Sequence, residues 1–362
     1  MEERECVIAL SLAGLYYSKP LTALYDYFGS FQEIFRAKDE QLGAVLGKSP
    51  FREHIIKNVV RDQESMKRQV HDVQSAYQVL TLLDDDYPHD LKQIYDPPWV
   101  LYLKGKPLAS VPMIGIVGAR KATTYGKWAA GHFARELAHF GVGVVSGLAY
   151  GIDAAGHQSC LEAGGYSVGV LGGGIDQVYP ASNRSLYEQM ALSGTIISEY
   201  GPGTEPQKHF FPARNRIISG LSIGVFVVEA GERSGALITA DFAMEQGRDV
   251  FALPGSINSA LSAGTNRLLR DGARMVLETE DLISPLRSLL PQDLLQLSAE
   301  MRTVSLSEDE RLVMTAVHKG PTQLEQLIID TGLSVSVLNG ILTVLELKGL
   351  VEQHPGKRFT VR

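Results

Sequence analysis

From residue 113 onward the chain alternates between two kinds of segment, and that alternation admits few folds. Short apolar runs occupy 113–117, 142–145, 167–171, 195–198, 223–228, 250–253 and 273–276. Amphipathic stretches of helical period separate them, at 125–140, 153–163, 183–192, 212–219, 236–246 and 265–270. Runs without polar alternation suit strands covered on both faces, as parallel strands are. Strand and helix in repetition predict an α/β fold: an extended, doubly wound, Rossmann-like domain. In such a sheet ligands bind beyond the carboxyl ends of the strands, where strand order reverses.

The loops expected at that edge are Gly118-Ala119-Arg120, Ser146-Gly147-Leu148-Ala149, Gly172-Gly173-Gly174, Ser198-Glu199-Tyr200-Gly201, Glu229-Ala230-Gly231 and Pro254-Gly255-Ser256. Glycine lets backbone amides approach a ligand closely, and helix N-termini favour an anion. Tight turns also select glycine, so these loops carry weight together rather than singly. A further stretch adds cations and rings: Lys208-His209-Phe210-Phe211-Pro212-Ala213-Arg214-Asn215-Arg216-Ile217-Ile218-Ser219-Gly220. Pro212 suits the first turn of a helix, which leaves Lys208, Phe210 and Phe211 on the loop before it. A cation beside an aromatic platform holds one phosphate and stacks one base of a single strand. The plainer reading puts both Phe rings in the core and leaves the arginines solvated or paired.

Several other chemistries are disfavoured. The net charge is −7, so any polyanion must be held by a local basic site rather than by a global field. No Gly-x-Gly-x-x-Gly follows the first apolar run, and Gly141-Val142-Gly143 opens a strand, which argues against a dinucleotide. Gly165-Tyr166-Ser167-Val168-Gly169 spells a nucleophile elbow, but it follows a helix and opens a strand, the reverse of what an elbow needs. Gly47-Lys48-Ser49 ends like a phosphate loop, yet Gly43 is one residue out of place and no strand precedes it. His157 and Cys160 lie on one helix with no further ligand beside them. We therefore expect no cofactor, no metal and no catalytic acid–base couple. No apolar run approaches the roughly 20 residues of a membrane span. The two cysteines, Cys6 and Cys160, fit a reducing cytoplasm.

Two flanking modules are expected. Residues 1–80 read as short helices, with Leu10, Leu15, Leu21, Leu24, Phe31, Ile34 and Phe35 at helical spacing, of the SAM-like or helix-hairpin-helix class. The turn Gly14-Leu15-Tyr16-Tyr17-Ser18 lacks paired glycines for a DNA phosphate, which favours a structural or interaction module. The α/β domain then covers 81–286 and a linker 287–304. Residues 305–362 read as a winged helix. Ser307 with Glu310 is a capping box, two more helices follow around Gly332, and 350–353 with 358–361 form a wing. Its third helix turns Ser334, Ser336, Asn339, Thr343 and Glu346 outward with Lys348 as its cation, while Lys357 and Arg358 sit on the wing. A major-groove reader needs more Arg or Lys than that, so protein interaction or auxiliary DNA contact is expected.

The motifs resemble those of the DNA-processing protein DprA (Smf) family. They are Val117-Gly118-Ala119-Arg120, Ser146-Gly147-Leu148-Ala149-Tyr150-Gly151-Ile152-Asp153, Tyr179-Pro180, Ser198-Glu199-Tyr200, Phe211-Pro212-Ala213-Arg214-Asn215-Arg216-Ile217-Ile218, Arg233-Ser234-Gly235-Ala236-Leu237-Ile238-Thr239-Ala240 and Pro254-Gly255-Ser256. The resemblance runs from Tyr87 to about Ile283. It implies a cytoplasmic, non-enzymatic binder of single-stranded DNA in natural transformation. Such a protein works as a homodimer, protects incoming strands and loads RecA on DNA covered by single-strand-binding protein. It implies that Arg120 and Lys208 hold phosphates, that the glycine loops donate amides and that Phe211 stacks on a base. The expected site is Gly118, Arg120, Ser146, Gly147, Gly172, Gly173, Lys208, Phe211, Arg214 and Asn215. Two departures stand out: Gly156, where the family usually carries alanine, and Ala181, where some members carry a DNA-binding lysine. Two other functions use the same modules. A nucleotide phosphoribohydrolase has this fold but carries Pro-Gly-Gly-x-Gly-Thr where this chain has Glu229-Ala230-Gly231-Glu232-Arg233-Ser234-Gly235. A sequence-specific regulator would use the winged helix.

Overall fold

The computed structural model describes residues 1–47, 59–288, 307–317, 322–347, 350–354 and 358–361. Residues 48 and 49 of the phosphate-loop look-alike, most of the expected linker, and Lys348 and Lys357 lie outside the described residues. The chain divides into two compact units, Met1–Leu294 and Leu295–Arg362.

The first unit is built on a nine-stranded sheet in the order β1-β2-β6-β5-β4-β3-β7-β8-β9. The strands are β1 (Gln78–Thr81), β2 (Val100–Gly105), β3 (Met113–Val117), β4 (Gly143–Ser146), β5 (Ser167–Val170), β6 (Thr195–Ser198), β7 (Gly224–Val227), β8 (Asp249–Ala252) and β9 (Arg274–Met275). From β3 onward all are parallel, and β1 and β2 add antiparallel at the β6 edge. Every residue of β3 to β7 is buried, which is why these strands read as unbroken apolar runs. The chain starts at β3, steps outward to β6, then returns to pair β7 with the other side of β3. The strand order therefore reverses between β3 and β7.

Among the described residues, the helices that precede the sheet are α1 (Glu3–Leu12), α2 (Ser18–Phe28), α3 (Phe31–Arg36), α4 (Asp39–Leu46) and α5 (Gln63–Ala76). Here the structure departs from the expected division. The boundary at 80/81 falls inside β1, a strand that the helical reading of 1–80 missed. The helices also share one core with the sheet, in which Ile8, Leu10, Leu24 and Phe31 join Tyr102, Leu148, Leu171 and Ile196. A second core covers the opposite sheet face, taking Leu101, Leu103 and Ile197 with Ile217 and Ala240. Adjacent residues such as Ile196 and Ile197 divide between the two cores, as strand alternation requires.

The short α6 (His89–Lys92) lies between β1 and β2. The crossover helices are α7 (Thr124–His139), α8 (Ile152–Glu162), α9 (Arg184–Ser193), α10 (Phe210–Gly220), α11 (Gly235–Glu245) and α12 (Ala263–Arg270), followed by α13 (Thr279–Ile283). Gly156 lies on α8, where an added Cβ would meet Ile116 at an ordinary 3.4 Å, so alanine would fit there. Both cysteines are free and buried, and burial pushes each thiol pKa up to about 12.

The second unit is a winged helix with α14 (Glu308–Val317), α15 (Leu324–Thr331) and α16 (Val335–Leu347). A three-stranded sheet completes it, with β10 (Thr322–Gln323), β11 (Val351–His354) and β12 (Arg358–Val361) in the order β10-β12-β11. The capping box forms: Ser307 N–H donates to Glu310 at 2.8 Å, and Glu310 N–H to Ser307 Oγ at 3.2 Å. Ser334, Ser336, Asn339 and Thr343 are exposed as expected, whereas Glu346 is half-buried. Among the described residues, no single helix is long and apolar enough to cross a membrane.

Candidate nucleic-acid interface

A cleft of about 700 Å³ opens at the switch point, between the loops that leave β3 and β7. Gly118, Arg120, Lys208, Phe211, Arg214 and Asn215 of the expected site line it. Gly147 lines a small adjoining recess with Arg120, Tyr179, Phe211 and Arg214. Ser146, Gly172 and Gly173 are buried and lie outside the cleft lining.

The β3–α7 loop is clamped from beneath by Glu229, the buried residue that follows β7. Thr123 donates its N–H to one carboxylate oxygen at 2.9 Å and its hydroxyl to the other at 2.5 Å. Ala119 N–H donates to the Glu229 carbonyl at 2.7 Å. Between these anchors Arg120 and Lys121 project into solvent at the cleft mouth. Gly151 makes this packing possible. Its φ is +76°, and a Cβ there would strike the Ala119 and Arg120 carbonyls.

Opposite stands the start of α10. The helix begins at Phe210, two residues earlier than its proline suggests, so neither Phe lies on the preceding loop. Phe210 is buried against Tyr200, with centroids 4.0 Å apart, and against Tyr16 edge-on at 5.4 Å. His209 Nε2 meets the Tyr17 hydroxyl at 2.8 Å. These contacts tie the helix start to the N-terminal segment and place Lys208, which is exposed, at the cleft. Phe211 is half-buried. Its ring lies 5.4 Å from the Arg120 guanidinium and 5.1 Å from the Tyr179 ring. The plainer reading thus holds for Phe210 and not for Phe211.

The two arginines of α10 are both buried. Arg214 donates to the carbonyls of Gly147 and Val170 and to Asn215 Oδ1, so it binds strand ends together while one side lines the cleft. Burial pulls its pKa down to about 10, with Asp153 opposing the fall and Arg120 adding to it. Arg216 pairs with Glu199 through two hydrogen bonds, at 2.9 and 2.5 Å, and also reaches Asp96.

Several expected amide donors turn out to be engaged within the fold. Gly147 and Ala149 N–H donate to Asp153 at 3.1 and 3.4 Å. Burial raises the Asp153 pKa, while Arg214 and these amides resist the rise. Ser146 Oγ donates to the Ile116 carbonyl at 2.5 Å. Gly172 and Gly173 leave room for Phe211 and Pro206: an added Cβ would stand 2.8 and 2.9 Å from them. Gly172 and Gly173 thus serve close packing around the cleft, and the Gly147 amide is engaged by Asp153.

Arg120 forms no ion pair with Asp153 or Glu199, since the first accepts amides and the second is held by Arg216. Sequence reasoning missed two further cations, Lys121 and Arg233, both exposed and both lining the cleft. Lys121 was legible as the neighbour of Arg120, and Arg233 as part of the loop leaving β7. Ser234 caps α11, accepting from Ala236 N–H at 3.3 Å, so two helix N-termini face the same space as four exposed cations. Among the described residues, no group of three or more His, Cys, Asp or Glu gathers to hold a metal ion.

Fold and cleft together define an open α/β protein with a cation-lined cleft at its switch point, in a chain that also carries a winged helix. The family described as DNA recombination-mediator protein A matches residues 78–287, and the DprA winged helix domain matches 298–357. The chain is 36% identical over 380 residues to protein Smf of Synechocystis sp., covering 94% of each chain. A DprA structure from Streptococcus pneumoniae aligns with a TM-score of 0.68 at 34% identity, over 78% of this chain and 97% of that one. A Helicobacter pylori DNA processing protein A, described for its single-stranded DNA binding mode, aligns with a TM-score of 0.54 at 31% identity, over 60% of this chain and 99% of that one. This chain belongs to the DNA recombination-mediator protein A (DprA, Smf) family.

Proposed function

We propose that the cleft binds the backbone of single-stranded DNA, with Arg120, Lys121, Lys208 and Arg233 meeting phosphates and Phe211 stacking on a base. One observation carries this reading: four exposed cations and two helix N-termini converge on one cleft in a chain of net charge −7. The nearby acids Glu229 and Asp153 hydrogen-bond Thr123 and loop amides rather than pairing with the four exposed cations. Phosphate contacts hold a strand without reading its sequence, so binding is expected to be largely indifferent to base order. The family relationship supports the wider role: a cytoplasmic homodimer that protects incoming DNA in natural transformation. In that role it passes the strand to RecA in the presence of single-strand-binding protein. The winged helix serves protein contact or auxiliary DNA contact, since its third helix turns Ser336, Asn339 and Thr343 outward together with the exposed Val335, Val337 and Val344.

Salt titration on a thymidine oligomer tests the cleft. Each phosphate neutralised on a single strand contributes about −0.7 to the slope of log K against log salt. Arg120→Ala and Lys208→Ala should each weaken binding and flatten the slope by up to about 0.7. Unchanged slopes in both variants and in the double variant would remove these residues from the site. A phosphoribohydrolase carries Pro-Gly-Gly-x-Gly-Thr on the loop leaving β7, where this chain has Glu229-Ala230-Gly231-Glu232-Arg233-Ser234-Gly235. Release of free base from nucleoside monophosphates would favour that enzyme instead.

A further inference from the structure

Three aromatic rings stand in a row on the outer face of α7, the helix that leaves the cleft. Tyr125, Trp128 and His132 follow the i, i+3, i+7 spacing that places side chains on one helical stripe. Tyr125 and Trp128 stack at 5.9 Å between centroids and 27° between planes, and Trp128 and His132 at 5.3 Å and 3°. They are not core. Tyr125 is 55% and Trp128 58% exposed, while the buried face of the same helix is made by Ala129, Ala130, Phe133, Ala134 and Leu137. An exposed tryptophan stacked between two other rings is a large apolar surface with no partner in this unit. Burial lowers the His132 pKa, with Arg135 adding to the fall and Glu136 opposing it, so this ring stacks as a neutral imidazole at neutral pH.

We infer that this ladder is a second base-stacking platform, occupied by the nucleotides of the same single strand that follow those held in the cleft. The inference rests on the single-strand reading of the cleft. Position supports it first. α7 begins four residues after Arg120, and its first turn is fixed by the Thr123 clamp, so the ladder starts at the cleft mouth. From Tyr125 to His132 the helix rises about 10 Å, enough for more than one base beyond the cleft. Charge supports it second. Lys121 precedes the rings, Arg135 follows them, Lys127 lies beside them, and all three are exposed. The one carboxylate on the stripe, Glu136, is within 3.7 Å of His139. Rings interleaved with cations are what a sequence-tolerant strand track requires. A protein-docking face favours aromatic residues too, but it is depleted in lysine.

Trp128 makes the test direct. The chain has two tryptophans, and the other, Trp99, is buried and donates to Thr22. Thymidine oligomers of about 4 and about 16 nucleotides bracket the length that such tracks occupy. With the full-length protein, the long oligomer should quench tryptophan emission, and the short one should bind without quenching. Trp128→Ala should weaken the long oligomer roughly 5- to 150-fold, the range that one stacked base implies, and leave the short one unchanged. Trp128→Phe should retain long-oligomer affinity and lose the emission signal. A melting temperature close to that of the parent would confirm that the exposed substitution leaves the fold alone. Unquenched emission at saturation, with Trp128→Ala binding each oligomer as tightly as the parent does, would overturn the platform while leaving the cleft intact. If Arg120→Ala and Lys208→Ala bind both lengths normally, the cleft reading itself has failed. A change of oligomeric state in Trp128→Ala, with no change in length dependence, would make the stripe a contact between copies and also overturn the proposal.

Discussion

Two arginines two residues apart on α10 show how little a side chain's identity says before its neighbours are known. Arg214 holds the ends of two strands through backbone carbonyls, and Arg216 neutralises Glu199 on the opposite flank. A helix turns about 200° over two residues, so the pair had to meet different partners. Phe210 and Phe211 divide in the same way, one into the core and one toward the cleft. The Phe211 ring is set by the absence of a side chain at Gly172, whose added Cβ would come within 2.8 Å of it. Gly172→Ala should therefore push the ring off its position and weaken single-strand binding by part of the roughly 1–3 kcal/mol that stacking contributes. A double-mutant cycle decides the cause: with Phe211 already replaced by Ala, the Gly172 change should cost little more. Additive losses would mean that Gly172 acts independently of the ring.

At the scale of elements, the crossover units were legible and their partners were not. The runs at 113–117 and 195–198 match β3 and β6 residue for residue, because strands buried on both faces leave no room for polar alternation. The strand β1 went unread: it is four residues long, lies on the sheet edge and follows helices directly. The glycine loops lie at the edge of the sheet where the cleft opens, but amide donation could not be told from close packing. That distinction depends on Asp153, Phe211 and Pro206, which arrive from other parts of the chain. Helix α8 carries a consequence of such packing. His157 is fully buried, with Nδ1 at 2.7 Å from Ser167 Oγ and no partner at Nε2. Burial, reinforced by Arg214, lowers its pKa from 6.5 to about 3. The unfolded chain binds that proton near pH 6.5 and the folded chain does not, so stability falls as pH drops from about 6.5 toward about 3. The loss approaches about 1.4 kcal/mol per pH unit from this group. Urea unfolding between pH 7 and pH 5 should show a shallower decline in His157→Gln than in the parent, and equal declines would exclude His157 as the source.

For the whole molecule, the cleft and the aromatic stripe both lie within Met1–Leu294. Removing the residues after Leu294 should leave most affinity for short oligomers in place, measured by fluorescence anisotropy on a chain shown folded by circular dichroism. Loss of binding by a folded truncation would move the site into the winged helix. The Glu229 clamp bears on how fast such a site captures its ligand. With Thr123 and Ala119 already tied to β7, Arg120 and Lys121 wait in place, and no loop has to order after the first encounter. Association should therefore be a single kinetic phase whose rate constant rises linearly with oligomer concentration and falls as salt screens the approach. Glu229→Ala releases the loop, and the same stopped-flow trace should then acquire a slower, concentration-independent phase as the cations find their phosphates. A single phase in both proteins would mean that the loop holds its shape without the carboxylate. Where the clamp holds, the speed of strand capture is limited by diffusion and charge rather than by any rearrangement of the protein.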